Sequence, residues 1–165
     1  MAQKETVYTP PKHSTQLPTQ IVTELDGDHL ESRLHEAIRL STVSEDGWPH
    51  AAQLSIGEVL AVNPSELLIA IWPDSNTVKN LKRDGRLTLS LVANGGLFEM
   101  RSHAILVAEH QTTLDLAVFR IRIEAINEHR SSYADVTSGV TFRLQDEART
   151  IARWREQIAS LKALI

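Results

Sequence analysis

A short polar stretch between two apolar runs carries the side chains that are best suited to bind an anion. The runs, residues 67–72 and 87–92, predict buried strands. Between them Pro73 ends the first strand, Asp74 or Ser75 caps a helix, and Gly85 ends that helix. The first turns of the predicted helix carry four side chains that suit a phosphate: Ser75, Asn76, Thr77 and Lys79.

Two interpretations of this stretch are open. Backbone N–H groups that are free at a helix N-terminus, together with hydroxyls and a cation, form a suitable cradle for a phosphate. Ser, Asn and Thr also collect at helix starts as ordinary caps, whether or not an anion binds. On local chemistry alone, a well-capped connection between two strands is the simpler interpretation.

The other reactive side chains form no recognisable catalytic group. None of the seven histidines has the spacing of a helical metal site, and the glycines make no phosphate loop. The absence of cysteine excludes disulfides, thiolate metal sites and cysteine nucleophiles, and it fits a reducing cytoplasm. We therefore predict no metal site, assign no catalytic residue, and expect a protein that carries a cofactor.

Composition limits the class of protein. The 165 residues, 42% of them hydrophobic, suit one globular domain with a real core. The formal net charge of −4 argues against a nucleic-acid partner, which would need a basic face. No apolar run is long enough for a membrane span, and no signal peptide is indicated. Residues 1–20, with three prolines, predict an N-terminal arm, and residues 21–165 form the predicted domain.

The elements that would position the polar stretch are mostly strands. Asp46-Gly47 and Asn94-Gly95-Gly96 predict hairpin turns. A shift in apolar parity within residues 114–126 predicts a β-bulge or bend. The apolar stripe of residues 147–165 predicts a C-terminal helix. The further predictions are a helix over 28–36 and strands over 38–43, 49–60, 98–108 and 140–144. Many short antiparallel strands with few helices indicate a β-barrel with helical additions.

Two strings in this order resemble the flavin-binding split-barrel superfamily, which includes pyridoxamine 5′-phosphate oxidase and general-stress-type flavoproteins. Ile38-Arg39-Leu40-Ser41-Thr42-Val43-Ser44-Glu45-Asp46-Gly47-Trp48-Pro49-His50 looks like the opening hairpin of that superfamily. Ser75-x-Thr77-x-x-Asn80-Leu81-Lys82-Arg83-Asp84-Gly85-Arg86 looks like the helix that holds the cofactor phosphate. The resemblance covers residues 34–108. It implies a mainly β (α+β) fold, an antiparallel split β-barrel of Greek-key type with short helices and a C-terminal helix.

The resemblance also implies a cofactor, a site and a partner. It implies a homodimer with a flavin mononucleotide (FMN) in each of two clefts at the interface. The sequence also has more half-apolar strands than one small barrel can cover, which predicts a large apolar interface between two copies. The strand after the Gly-x-Pro turn would lie along the isoalloxazine ring, and the end of the next strand would flank the ring or the ribityl chain. By this resemblance the cofactor-binding residues are Ala52, Gln53, Leu54, Ser55, Ile71, Trp72, Ser75, Asn76, Thr77, Lys79 and Asn80.

Departures from the family pattern limit the implied activity. Asn76 and Thr77 stand where the oxidase has a basic pair, so Lys79 or Arg83 would have to supply the positive charge. The oxidase's C-terminal substrate motif has no counterpart in residues 145–165, so oxidation of vitamin B6 is not expected. The sequence therefore predicts an FMN-binding oxidoreductase for an unknown small-molecule substrate. The alternatives are a deazaflavin (F420)-dependent reductase, a non-enzymatic flavin- or haem-binding module, and a protein with an empty pocket.

Overall fold

The computed structural model describes residues 8–110 and 115–165, and in this part of the chain strands predominate. The helices are α1 (Thr19–Glu24), α2 (Asn76–Arg83) and α3 (Glu147–Lys162), with 3₁₀ turns at Leu30–Arg33 and Ile56–Glu58. The strands are β1 (Lys12–Ser14), β2 (Ile38–Val43), β3 (Pro49–Leu54), β4 (Val59–Asn63), β5 (Glu66–Ile71), β6 (Arg86–Ala93), β7 (Gly96–Ala108) and β8 (Ala117–His129).

The eight strands of the described residues form one antiparallel sheet in the order β3-β2-β6-β7-β8-β5-β4. Strand β8 pairs with β7 along one edge. Along its other edge, the first half of β8 pairs with β5 and the second half pairs with β1. Through β1, residues 12–14 of the predicted arm join the sheet. The predicted mainly β, antiparallel fold with short helices and a C-terminal helix is confirmed.

The predicted turns and the predicted phosphate helix occur where the sequence places them. Gly47 has φ +85° in the β2–β3 hairpin, and Asn94 and Gly95 have φ +50° and +76° in the β6–β7 hairpin. Helix α2 begins after Ser75, which is its N-cap, and Gly85 follows it with φ +78°. The left-handed backbone at these positions is the reason that Gly and Asn occupy them.

The predicted irregularity of the strand over 114–126 is also present. The register between β7 and β8 shifts twice, once between Leu106 and Ala108 and once between Arg101 and Ser102. At the first shift Val107 is the additional residue, opposite Val118 and Phe119. The predicted start of this strand at residue 114 lies outside the described residues.

Three local predictions differ from the structure. The strand predicted over 49–60 is two strands, because the 3₁₀ turn Ile56–Glu58 interrupts it. The strand predicted over 140–144 is a single bridge between Thr141 and Glu36. The helix predicted over 28–36 is a short 3₁₀ turn, while α1 was not predicted. Each of these segments lacks a complete local signal and takes its form from tertiary contacts.

Helix α3 packs on the turn that interrupts the predicted strand. Trp154, Ile158 and Leu161 are buried as predicted, and Ile151 is half-buried. The amide of Gln157 donates a hydrogen bond of 2.9 Å to the carbonyl oxygen of Gly57. A Cβ on Gly57 would lie 2.1 Å from Cγ of Trp154, so the indole lies directly against backbone and requires glycine there.

Candidate functional site

The polar stretch of the sequence borders a cleft of about 530 Å³. One wall is a face of α2, and the other wall is the β2–β3 hairpin with the start of β3. Three of the predicted cofactor residues line this cleft, namely Asn76, Lys79 and Asn80. The other lining residues are Ser44, Glu45, Asp46, His50 and Arg83. We call this space the α2 cleft.

The N-terminus of α2 leaves hydrogen-bond donors free. The hydroxyl oxygen of Ser75 accepts a hydrogen bond of 3.2 Å from the backbone N–H of Val78, as an N-cap residue does. The backbone N–H groups of Asn76 and Thr77 donate to no described residue. Asn76 is exposed, whereas Thr77 is 3% exposed. The helix start therefore combines a used cap with two unused donors, which is the arrangement that an anion can complete.

Two cations line the α2 cleft, and they differ in how they are held. The guanidinium of Arg83 donates to the carbonyl oxygen of Val43 and to the side-chain oxygen of Asn80, the latter at 3.3 Å. Lys79 is exposed and forms no ion pair or side-chain hydrogen bond with any described residue. Arg83 therefore anchors α2 to the end of β2, while the Lys79 ammonium is available to a ligand.

Asn80 contributes to the position of the helix. It is 6% exposed, and its amide donates a hydrogen bond of 3.0 Å to the hydroxyl oxygen of Thr42 on β2. Its carbonyl oxygen accepts from Arg83. Both ends of the amide are thus occupied by protein groups. Asn80 fixes α2 against the sheet, and this leaves its neighbours Asn76 and Lys79 to face the cleft.

The opposite wall of the α2 cleft is acidic. Glu45 and Asp46 belong to the turn of the β2–β3 hairpin, and His50 follows on β3. A bound anion is repelled by the two carboxylates and attracted by Lys79. An anion in this cleft would therefore lie on the α2 side, beside the helix N-terminus.

Strand β3, which carries three of the predicted cofactor residues and is followed by a fourth, Ser55, is an edge strand. Among the described residues it pairs with β2 alone, so one row of its backbone N–H and C=O groups is free. Ala52 is half-buried and packs against the core, while Gln53 points to the exposed face. On the next chain segment of the predicted site, Ile71 is buried at the end of β5 and Trp72 is 57% exposed before α2.

The end of β3 borders a second, smaller space between the sheet and α3. This cavity of about 260 Å³ is lined by three predicted cofactor residues, Gln53, Leu54 and Ser55. Its other lining residues are Ala37, Glu58, Phe142, Leu144, Thr150, Arg153 and Trp154. We call it the α3 cavity. Six of the eleven predicted cofactor residues are therefore divided between two spaces, one at each end of β3, and the other five line neither space: Ala52, Ile71, Trp72, Ser75 and Thr77.

The carboxylate of Glu58 is the buried titratable group of the α3 cavity. One of its oxygens, Oε2, accepts hydrogen bonds from the backbone N–H and the hydroxyl of Ser55, at 2.5 and 2.9 Å. Burial raises the pKa of Glu58 above its usual value, and the bonds from Ser55 and the charge of Arg153 oppose that rise. Ser55 and Glu58 have the spacing of a capping box, and this arrangement ends β3.

The residues of the β2–β3 turn and Glu58 itself were not assigned to a site from the sequence, although Ser55, the partner of Glu58, was. Glu45 and Asp46 appeared there as a hairpin turn, and the Ser55–Glu58 spacing lay inside a predicted strand. The capping-box spacing Ser-x-x-Glu was the available signal for Glu58. The turn residues Glu45 and Asp46 had no such signal, because they border the cleft only when α2 packs opposite the turn.

Two further findings concern the described residues as a whole. Within residues 8–110 and 115–165, no three His, Asp or Glu side chains lie together as a metal site would require. No helix in the same ranges is both long enough and apolar enough to cross a membrane.

Comparison with known proteins gives one sequence relative and a set of structural neighbours. The chain is 35% identical over 139 residues to the uncharacterised protein YclD of Bacillus subtilis strain 168. The alignment covers 84% of this chain and 90% of YclD. No protein-family model matches the chain.

Solved structures establish the fold. A candidate pyridoxamine 5′-phosphate oxidase from Lactobacillus delbrueckii superposes with a TM-score of 0.53 at 17% identity, over 72% of this chain and 98% of that chain. HupZ of Group A Streptococcus superposes with a TM-score of 0.53 at 16% identity, over 73% and 99% of the two chains. The chain therefore belongs to the same family as YclD, and it has the split-barrel fold of the pyridoxamine 5′-phosphate oxidase-like superfamily.

Proposed function

We propose that this protein is an FMN-binding oxidoreductase that acts on a small molecule as a homodimer. The phosphate of the cofactor would lie at the N-terminus of α2, and the isoalloxazine ring would lie along β3. The flavin supplies the hydride chemistry when it is bound. The residues of this chain bind and orient it, and catalytic residues are not part of the proposal.

One observation carries this proposal: an unpaired cation and two unused helix donors face the same cleft. Lys79 and the backbone N–H groups of Asn76 and Thr77 have no partner among the described residues. A phosphate dianion would satisfy all three, and charge-assisted hydrogen bonds are roughly twice as strong as neutral ones. The helix dipole adds a favourable contribution at this terminus.

The free edge of β3 supports the position of the ring. His50, at the start of β3, lines the α2 cleft, and Ala52 lies two residues further on the same face. A ligand with its phosphate beside Lys79 can therefore extend along the unpaired backbone of β3. Edge-strand N–H and C=O groups offer the donors and acceptors that the polar edge of a flavin needs.

The homodimer belongs to the same proposal. The outward face of β2, β6 and β7 carries charged and hydroxyl side chains, so this face is not uniformly apolar. Exposed apolar side chains occur instead at Ile105, Leu106 and Val107 near the end of β7, with exposed fractions of 61%, 37% and 40%. A second copy that covers this segment would remove it from water.

Titration of the flavin-free protein with FMN and riboflavin tests the phosphate site. We expect FMN to bind at least about tenfold more tightly than riboflavin, because riboflavin lacks the phosphate. Lys79→Met should reduce FMN affinity about tenfold and leave riboflavin affinity unchanged. Quenching of flavin fluorescence measures both, and an absorption spectrum of the purified protein distinguishes flavin from a deazaflavin or haem.

Lys82→Met is the matched control, since Lys82 is on the same helix, pairs with Glu109 and does not line the α2 cleft. This variant should bind FMN as the wild type does. Equal affinity for FMN and riboflavin in the wild type would show that no phosphate binds at α2.

A further inference from the structure

The α3 cavity contains two walls of different chemistry. Ala37, Leu54, Phe142 and Leu144 supply apolar surface from three separate segments of the chain. The remaining lining residues place polar or charged atoms around the same volume of about 260 Å³, namely Gln53, Ser55, Glu58, Thr150 and Arg153, beside the indole of Trp154. A cavity of this composition can enclose an apolar group and hold a polar one at a fixed end.

The polar wall contains two opposite charges that do not meet. Arg153 is near enough to Glu58 to influence its carboxyl group, yet no ion pair joins them within 4.0 Å. Arg153 has no other ion-pair partner among the described residues. Oε1 of Glu58 also accepts no hydrogen bond from them, since both bonds from Ser55 go to Oε2. The cavity thus holds one unpaired cation, one carboxylate oxygen without a partner, and a gap between the two.

We propose that the α3 cavity binds an apolar α-amino acid, whose carboxylate pairs with Arg153, whose ammonium pairs with Glu58, and whose side chain lies against Leu54 and Phe142. The adjacent carboxylate and ammonium of an amino acid bridge a gap of this kind, because each supplies the charge that one protein group lacks.

The balance of charges favours this ligand over a simple acid or a simple amine. A carboxylic acid would pair with Arg153 and leave the Glu58 carboxylate without a partner, or require that it take up a proton. An amine would pair with Glu58 and leave Arg153 unpaired. Arg153 is exposed at the mouth of the cavity, and Glu58 is partly buried, so of the three ligands the zwitterion pairs with the most groups.

This site is separate from the proposed phosphate site, although the two share β3. Gln53 and Leu54 belong both to the cavity lining and to the strand along which the flavin ring would lie, and Ser55 follows them directly. An amino acid in the cavity would therefore lie beside the ring-binding strand. Binding of the amino acid itself requires no flavin, so its test is made on the flavin-free protein.

Three probes that share the branched side chain of leucine test the proposal on the full-length, ¹⁵N-labelled, flavin-free protein. They are L-leucine, 4-methylpentanoate, which lacks the ammonium, and 3-methylbutylamine, which lacks the carboxylate. We expect leucine to shift the indole N–H signal of Trp154 and the backbone signals of Thr150 and Arg153 in a saturable way. Each of the other two probes should bind at least about tenfold more weakly, because each loses one charge-assisted contact.

Variants assign the two contacts. Arg153→Gln should weaken leucine about tenfold and leave the amine unchanged, whereas Glu58→Gln should weaken leucine and the amine and leave the acid unchanged. Gln keeps the capping-box spacing with Ser55, so the turn should persist. Arg149→Gln is the matched control, because Arg149 is exposed on the same helix one turn earlier and does not line the cavity. It should bind leucine as the wild type does.

Three results would overturn the proposal. Absence of a saturable shift with leucine would mean that the cavity holds only water. Equal binding of leucine and 4-methylpentanoate would make it a site for organic acids, with a protonated Glu58. An equal loss in Arg149→Gln and Arg153→Gln would show general charge attraction to α3. None of these results bears on FMN affinity, so the amino-acid site and the flavin site can fail separately.

Discussion

The α2 cleft and the α3 cavity lie at the two ends of β3 and differ in how their charged groups are used. In the α2 cleft, Arg83 and Asn80 are occupied by contacts with the sheet, and Lys79 alone of these three is free. In the α3 cavity, Arg153 and one oxygen of Glu58 are both free and of opposite charge. The first arrangement suits an anion, and the second suits a ligand that carries both charges.

The difference also concerns the helices that form the two spaces. Helix α2 presents its N-terminus, where unpaired N–H groups carry partial positive charge. Helix α3 presents side chains from its first half and holds the β3–β4 turn through Trp154 and Gln157. Changes in α3 should therefore affect stability first, and changes in α2 should affect ligand affinity first.

Truncation of Trp154 should give the largest loss of stability. The side chain is 2% exposed, and Trp154→Ala should lower the free energy of unfolding by about 3–5 kcal/mol. Urea denaturation measures this loss. Trp48→Ala, at a position 72% exposed, is the control and should change stability by less than about 0.5 kcal/mol. If Trp154→Ala kept its melting temperature and lost FMN, Trp154 would belong to the flavin site.

Removal of two hydroxyls at the start of α2 should lower the affinity for FMN and not that for riboflavin. Each hydroxyl bond to a phosphate is worth about 1.5–3 kcal/mol, so Ser75→Ala with Thr77→Ala should weaken FMN at least about tenfold. Riboflavin affinity should be almost unchanged, since riboflavin has no phosphate. Equal losses for both ligands, or no loss for either, would mean that the start of α2 is a capped turn without a phosphate.

The buried carboxylate should leave a small signature in the pH dependence of stability. Burial raises the pKa of Glu58 in the folded protein above the ordinary value of 4.5, so the folded state holds this proton more tightly than the unfolded state does. The stabilisation is complete below the ordinary pKa and is lost as the pH rises through the raised pKa, by at most about 1.4 kcal/mol per pH unit. Unfolding of wild type and Glu58→Gln across this range measures it. Parallel curves would show that Glu58 does not titrate in this way.

Much of the fold was predictable, because its signals are local. Pro73, Ser75 and Gly85 bound α2 through contacts within one helical turn, and the Asp-Gly and Asn-Gly pairs specify their hairpins through backbone conformation. The burial of Trp154, Ile158 and Leu161 follows from their helical spacing. The break of the strand at residues 55–58 was missed, although the capping-box spacing of Ser55 and Glu58 was a local signal for it.

The site was predictable in part. The residue types at the start of α2 allowed either an anion site or an ordinary cap, and the structure places Asn76 and Lys79 at a common cleft. The resemblance placed Gln53, Leu54 and Ser55 beside a flavin ring, and this remains a prediction. Their contact with a cavity under α3 could not be predicted, because α3 begins almost 100 residues later in the chain.

The sequence by itself determined the two ends of α2 and the two glycine-containing hairpin turns, because capping, proline and glycine act over a few residues. The tertiary structure decided which charges are free. Asn80 is occupied by Thr42, 38 residues away, and Arg83 by Val43, 40 residues away. Gln157 holds the carbonyl of Gly57 across 100 residues. Partners at such separations are chosen by the packing of helices on the sheet, so the availability of Lys79, Glu58 and Arg153 for a ligand follows from the fold.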